Sequence, residues 1–189
     1  MCVGIILAGG MSKRMGENKI MMSFKDEIMI DHLIKLYSTV CEKVVVVTGH
    51  YHQEIASYLE KQRDVIIKFN PNYPKGMFGS ILKGIENEND DVLITPGDMP
   101  LVKLETLQKI LMGEGCIRVP SYKRKLGHPI FLSKKMVNVL KHDEEHQHLK
   151  AFKNKMGFNI IETNDAGITI DFDSKDSLKK YKGREKYEN

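Results

Sequence analysis

Cysteine is scarce in this chain: Cys2, Cys41 and Cys116 stand far apart and form no paired spacing. That argues against both a disulfide framework and a cysteine-based zinc site, and makes a reducing cytoplasm the expected compartment. Long hydrophobic runs are missing too. The apolar stretch at residues 3–8, interrupted by Gly4, is too short to cross a bilayer and lacks the basic segment that precedes a secretion signal. No membrane association is expected, and the mature chain is expected to begin where the sequence does. An excess of one charge is also lacking, because 29 Lys and Arg face 25 Asp and Glu for a formal charge of +4. So small an excess does not make nucleic acid the default partner and suits a small anionic ligand equally well. With no aromatic platform and no basic stripe, an RNA-binding role ranks last.

What is present points to a folded enzyme-sized domain. At 189 residues and 41% hydrophobic content, surface-to-volume scaling permits one sizeable core. Residues 3–7 form a nearly continuous apolar run that ends in Gly9-Gly10, as a strand buried on both faces reads. Comparable runs recur at 44–47, 65–67 and 92–94, each closed by Gly, Asn or Pro. Between them lie segments of helical period: Ile30, Leu33, Ile34 and Tyr37 share a face, as do Ile55 with Leu59, Ile81 with Ile85, and Leu104, Leu107 and Leu111. Alternating strands and helices predict βαβ units, hence an α/β, doubly wound, mostly parallel sheet with helices on both faces. The second half is less regular. Strands are expected at 117–119 and 130–132, a helix at 136–140, and edge strands at 160–161 and 168–170. One domain should cover residues 1–181, with 182–189 as a flexible C-terminal tail.

In such sheets ligands bind beyond the carboxyl ends of the strands, at a topological switch point. Two loops fall there: the one after the first strand, running through Ala8, Gly9 and Gly10, and the turn Gly97-Asp98-Met99-Pro100. In the first, Gly9, Gly10 and Gly16 allow backbone N–H groups to approach phosphate oxygens, and Lys13, Arg14 and Lys19 supply cations. The spacing is neither that of a P-loop nor Gly-x-Gly-x-x-Gly. In the second, Asp98 is a hard oxygen ligand placed for Mg²⁺, or alternatively a turn or cap residue before Pro100.

The run Leu7-Ala8-Gly9-Gly10-x-Ser12-x-Arg14-Met15-Gly16-x-x-Lys19 resembles the signature of the molybdenum-cofactor nucleotidyltransferases, a group of Rossmann-like transferases. Asn70-Pro71 with Gly76-Met77-x-Gly79-Ser80, Gly97-Asp98-Met99-Pro100, Gly127-His128-Pro129 and Asp171-Phe172-Asp173-Ser174 extend the resemblance over nearly the whole chain. Several of these segments are most similar to the cytidylyltransferase branch, which joins CMP from CTP to molybdopterin and releases pyrophosphate. Many cytidylyltransferases have Ala-Ala-Gly where this chain has Ala8-Gly9-Gly10, and the Gly-Gly form is usual in the guanylyltransferase branch. GTP therefore stays open as the donor beside CTP. The segment Asp143-Glu144-Glu145-His146-Gln147-His148 also departs from the cytidylyltransferase pattern of Gly-Asp-x-Gly-x-Arg, and leaves acceptor contacts there open.

The resemblance implies a division of labour. Arg14 would hold the β- and γ-phosphates as charge grows on pyrophosphate, and Lys19 would sit nearer the α-phosphate. Asp98 and, by analogy with the family, Asp173 would hold Mg²⁺; the residues alone also allow Asp173 to cap a helix at 174–181. Leu7, Ala8 and Gly9 with Gly79 and Ser80 would recognise base and ribose, although Ser80 reads equally well as a helix N-cap. Met77, Phe78 and His128 are candidates for the acceptor, with a structural role for His128 as the alternative. A molybdenum hydroxylase apoenzyme is the further partner implied. A non-catalytic chaperone that hands cofactor to such an enzyme is the reading of another class, and it would dispense with the carboxylates. His142, His146 and His148 lie among Asp143, Glu144, Glu145 and Lys150, so a solvated segment is expected in preference to a metal site. Lys123-Arg124-Lys125 likewise reads as a solvated loop.

Overall fold

The computed structural model describes residues 1–12, 16–61 and 65–173. Arg14, the expected helix at 174–181 and the expected tail at 182–189 lie outside the described residues. The strands are β1 (Cys2–Ala8), β2 (Ser23–Phe24), β3 (Glu27–Ile28), β4 (Lys43–Thr48), β5 (Val65–Phe69), β6 (Asp91–Pro96), β7 (Ile117–Tyr122), β8 (Lys125–Leu126), β9 (Ile130–Leu132) and β10 (Asn159–Glu162). The helices are α1 (Met29–Ser38), α2 (His52–Leu59), α3 (Met77–Ile85), α4 (Leu104–Met112), α5 (Lys134–Lys141) and α6 (Leu149–Met156).

The main sheet runs β10-β7-β9-β6-β1-β4-β5, with β8 paired to β7 alone. Every pair along it is parallel except the two that β9 makes, with β6 and with β7. Alternate residues of β1 feed opposite layers, because strand side chains alternate in direction. Ile6 and Ala8 pack with α1, α2 and α4, while Val3, Ile5 and Leu7 pack with α3, α5 and α6. Both faces are therefore covered, and the apolar runs needed no polar alternation. From β1 the chain winds outward through β4 to β5 and then crosses back to β6 on the other side of β1, which makes the carboxyl ends of β1 and β6 the switch point.

Two local expectations are corrected. Residues 168–170 do not form an edge strand: Ala166–Thr169 is a 3-10 turn. Asp165 pins it there, its carboxylate accepting from the backbone N–H of Gly167 and of Lys103 and from the Thr106 hydroxyl, each at 2.8 Å. Ser80 is not an N-cap either. Helix α3 starts at Met77 after Gly76, whose φ of 116° is open to glycine and strained for other residues. Ser80 is thus one turn inside, buried, and its hydroxyl accepts from Asn70 Nδ2 at 3.0 Å. No described helix is long and apolar enough to cross a membrane.

Candidate active site

A cavity of about 320 Å³ opens at the carboxyl ends of β1 and β6. One wall is the loop from Leu7 to Ser12 with Asn18 and Lys19; the opposite wall is Tyr73, Gly76, Met77 and Ser80; Pro96, Gly97 and Asp98 close it below. The glycine loop is held by its neighbours. Gly49, after β4, lies so close that a Cβ there would come 2.7 Å from the Gly9 carbonyl oxygen. The Tyr51 hydroxyl donates to the Met11 carbonyl at 3.5 Å, and buried Asn18 donates from Nδ2 to Glu54 at 3.1 Å. A Cβ on Gly9 would stand 3.2 Å from Ser80 Oγ, tight enough that Ser80 would have to yield. Among the described residues a Cβ on Gly10 would meet nothing within 4 Å, so no described contact requires glycine there.

Lys19 sits on a 3-10 turn at Lys19–Met21, and its ammonium reaches both Asp98 and, at 3.0 Å, Asp173. Burial pulls its pKa down, but the hydrogen bonds and charges of Asp98 and Asp173 outweigh that and hold it above the ordinary lysine value. Asp98, Asp171 and Asp173 place one carboxylate oxygen each within 4.8 Å of one another. Asp171 is pushed up from its ordinary value by burial first and then by the charges of Asp173 and Asp98. Two ties from distant sequence build this cluster. The Phe172 backbone N–H donates to the Asp98 carbonyl at 2.9 Å. The Phe172 ring is buried with Phe24 and Met29, beside the short β2–β3 hairpin. Burying that one ring presents the flanking aspartates to the turn after β6.

All three donors are carboxylate oxygens, the hard ligands that Mg²⁺ takes, and the Lys19 ammonium among them shows that the cluster accommodates positive charge. Asp98, Asp171 and Asp173 would be the ligands. Sequence reasoning placed Asp98 and Asp173 in this role and passed over Asp171, which stands in the same quoted motif. It also gave no role to Asn18, which fills an unspecified position just before Lys19, to Asn70, which the resemblance includes without a task, or to Tyr73. No group of three potential metal ligands forms at His142, His146 and His148 among the described residues. His146 instead pairs with Asp143 at 2.8 Å, and His142 contacts the Asn138 carbonyl.

A second cavity of about 560 Å³ adjoins the first through the shared residues Leu7, Gly76 and Met77. It gathers the three acceptor candidates: Met77 is exposed, Phe78 is half-buried against the core, and His128 lies on the far wall. Burial lowers the His128 pKa, so its imidazole is held neutral, and its Nδ1 is buried without a hydrogen-bond partner. His128 also lines a third recess with Asp98, Asp171 and Asp173. Lys123 and Arg124 form the exposed turn between β7 and β8, as expected of a solvated loop, while Lys125 reaches the rim of that recess.

Comparison with known proteins agrees with this arrangement. A family model described as the MobA-like NTP transferase domain matches residues 4–158. The molybdenum cofactor cytidylyltransferase of Escherichia coli (strain K12) is 32% identical over 133 residues, covering 69% of this chain and 69% of its own length. The probable molybdenum cofactor guanylyltransferase of Bacillus mycoides (strain KBAB4) is 33% identical over 113 residues, covering 58% of this chain; the chain spans 55% of that relative's length. Among solved structures, a nucleotidyl transferase from Methanothermobacter thermautotroptrophicus superimposes with a TM-score of 0.79 at 18% identity, over 100% of this chain and 99% of its own. The molybdopterin-guanine dinucleotide biosynthesis protein A of Archaeoglobus fulgidus does so with a TM-score of 0.75 at 14% identity, over 99% of this chain and 100% of its own. At these identities the structures show the shared fold.

Proposed function

The chain belongs to the MobA-like NTP transferase domain family and is a nucleotidyltransferase, and from that premise we propose that it transfers CMP from CTP to the phosphate of molybdopterin. Pyrophosphate is the other product and Mg²⁺ the cofactor. The observation that carries this reading is the meeting of Asp98, Asp171 and Asp173 with Lys19 beside the Gly9-Gly10 loop. A molybdenum hydroxylase apoenzyme as recipient of the product belongs to the same reading.

The reaction forms a bond between an acceptor phosphate oxygen and the α-phosphorus and breaks the bond from that phosphorus to pyrophosphate. Such a transfer needs in-line positioning and charge neutralisation far more than covalent help. Bound at the carboxylates, Mg²⁺ would supply part of that neutralisation. The chain supplies the rest. Gly9 and Gly10 let the backbone approach the donor, with Leu7 and Ala8 beneath it. Lys19 lies between that loop and Asp98, where its ammonium would meet the α-phosphate, and Arg14 would stabilise the departing pyrophosphate. Base and ribose would lie against Ser80; Gly79, expected beside it, lines a separate recess with Asn70 and Asn72 instead. Met77 stands where the donor cavity, the second cavity and the aspartate recess meet, so it would separate donor from acceptor.

A second reading, with GTP as donor, is favoured by Gly9, because the Gly-Gly form resembles the guanylyltransferase branch; the close approach of Gly9 to Ser80 gives glycine a steric ground there as well. The test is pyrophosphate release from Mg²⁺, molybdopterin and each nucleoside triphosphate in turn. Release with CTP alone is expected. Release with GTP alone would replace the first reading by the second, and none with any triphosphate would overturn both.

A further inference from the structure

Lys153 is an anomaly within the second cavity. It is 7% exposed, yet no carboxylate among the described residues pairs with it. Its ammonium has only the Asn154 side-chain oxygen, at 3.3 Å, and the face of the Phe158 ring, 3.8 Å from the centroid. Burying an ammonium without an acid costs stability, and because Lys153 lines the cavity an anion that enters there would offset that cost. Burial, and then the charge of Lys150, hold its pKa below the ordinary lysine value.

The surroundings specify that anion. Lys150 and His148 line the same cavity, and so does His128, whose buried Nδ1 also lacks a partner. Lys75 and Gln147 add to the polar lining, and the rest of the wall is mostly apolar, with Phe78, Ile81, Leu126 and Ile130 among it. Three lysines, two imidazoles and an apolar wall match a phosphate monoester carried on an apolar or aromatic body. We propose that this cavity seats the phosphate monoester of the acceptor, with Lys153 as its principal cation and Lys150 as the second. The seat adjoins the donor cavity through Leu7, Gly76 and Met77, as a nucleophile's seat must. The assignment rests on the proposed nucleotidyl transfer to a phosphate, but its test does not depend on turnover.

The probe is phenyl phosphate, titrated by calorimetry with Mg²⁺ and an α,β-methylene analogue of CTP or GTP filling the donor cavity; phenol is the control. Saturable binding of phenyl phosphate is expected, weakened about tenfold by Lys153→Met and only a few-fold by Lys150→Ala or Lys153→Arg. Phenol binding should be indifferent to all three substitutions. Because Lys153 is an uncompensated buried charge, Lys153→Met should melt at or above the wild-type temperature. Phenyl phosphate binding that is unchanged in Lys153→Met would overturn the site. So would a Lys153→Met protein that melts well below wild type together with a Lys153→Arg protein that binds no better, since both would mark a packing residue. If Lys153→Met fails to fold, wild-type affinity in Lys150→Ala overturns the two-cation seat. Lys153-dependent binding without turnover of molybdopterin would reject the acceptor named above and leave this site standing; turnover with Lys153-independent binding would do the reverse.

Discussion

The two halves of the sheet treat buried cations differently. On the side of β1, β4 and β5, Lys19 is matched by Asp98 and Asp173, and Lys68 donates to Glu88 at 3.1 Å and to the Gly84 carbonyl at 2.8 Å. Across the sheet, near β7 and β9, Lys153 is at least as buried and has no acid. A paired buried lysine is balanced by the chain itself, and Lys19 is free for a phosphate only as a cation takes over its carboxylates, whereas an unpaired lysine leaves its charge available. The proposed donor half is therefore balanced among its own residues, and the proposed acceptor half is unbalanced in favour of an anion. Removing the acid should be costly on the first side, and removing the lysine nearly free on the second.

The largest effect is expected at Asp98. It is both a carboxylate of the proposed metal cluster and the partner of Lys19, so Asp98→Asn should lower pyrophosphate release by about 10³-fold or more, roughly 4 kcal/mol in the barrier. Excess chelator should act on the wild type to a similar extent. Activity that survives both treatments would mean that the acid cluster only balances Lys19, which would favour the chaperone reading of the nucleotide site.

Glu88 tests the balance where no chemistry is expected. Its carboxylate is nearly inaccessible, lies 2.6 Å from Lys43 and 3.1 Å from Lys68, and sits at the end of α3. Burial pushes its pKa up, but hydrogen bonds and charge from the two lysines outweigh that and hold it below the ordinary glutamate value. Glu88→Gln should cost about 3 kcal/mol in urea unfolding at neutral pH, since it leaves Lys68 buried without its acid. A depressed carboxyl pKa contributes stability that is fully present above the unfolded value and lost as pH falls through the folded one. The gap between wild type and Glu88→Gln should accordingly narrow as pH drops from 5 towards 3. A gap independent of pH would assign the loss to packing alone.

The same contrast marks what the sequence could disclose. Strands β1, β4, β5 and β6 and helices α1 to α4 were legible because both faces of the sheet are covered, which leaves long apolar runs and clear helical periods. Helix α6 was not: no element was expected at 149–156, because only Leu149 and Phe152 mark its buried face and Lys150, Lys153 and Lys155 interrupt the apolar pattern. That is the helix which carries the uncompensated lysine, so Lys153 was not anticipated in the second cavity, although Met77, Phe78 and His128 were. Strands β2 and β3 have two residues each and no periodicity to detect, yet their hairpin packs beside the Phe172 ring that orients Asp171 and Asp173. Asp165 converted an apparent strand at 168–170 into a turn through contacts to Lys103 and Thr106, partners about sixty residues away that no local pattern announces. The phosphate loop and Asp98 were legible for the opposite reason, since each is a contiguous motif directly after a buried strand.

The smallest effect expected separates glycines kept for the fold from those kept for a ligand. Gly10 lines the first cavity and Gly49 packs behind its glycine loop; a Cβ on Gly49 would collide with the Gly9 backbone, while one on Gly10 would meet none of the described residues within 4 Å. Gly10→Ala should leave the melting temperature unchanged or slightly higher, because alanine narrows the unfolded ensemble and the backbone there lies outside the left-handed region. If phosphate oxygens approach that backbone closely, the added methyl should still weaken triphosphate binding by about tenfold, roughly 1.4 kcal/mol, as read by calorimetry. Gly49→Ala should do the converse, with a clear fall in melting temperature before any specific loss of affinity. Equal triphosphate affinity in Gly10→Ala and wild type would move the phosphates away from Gly10, towards Lys19 and the turn that carries Asp98.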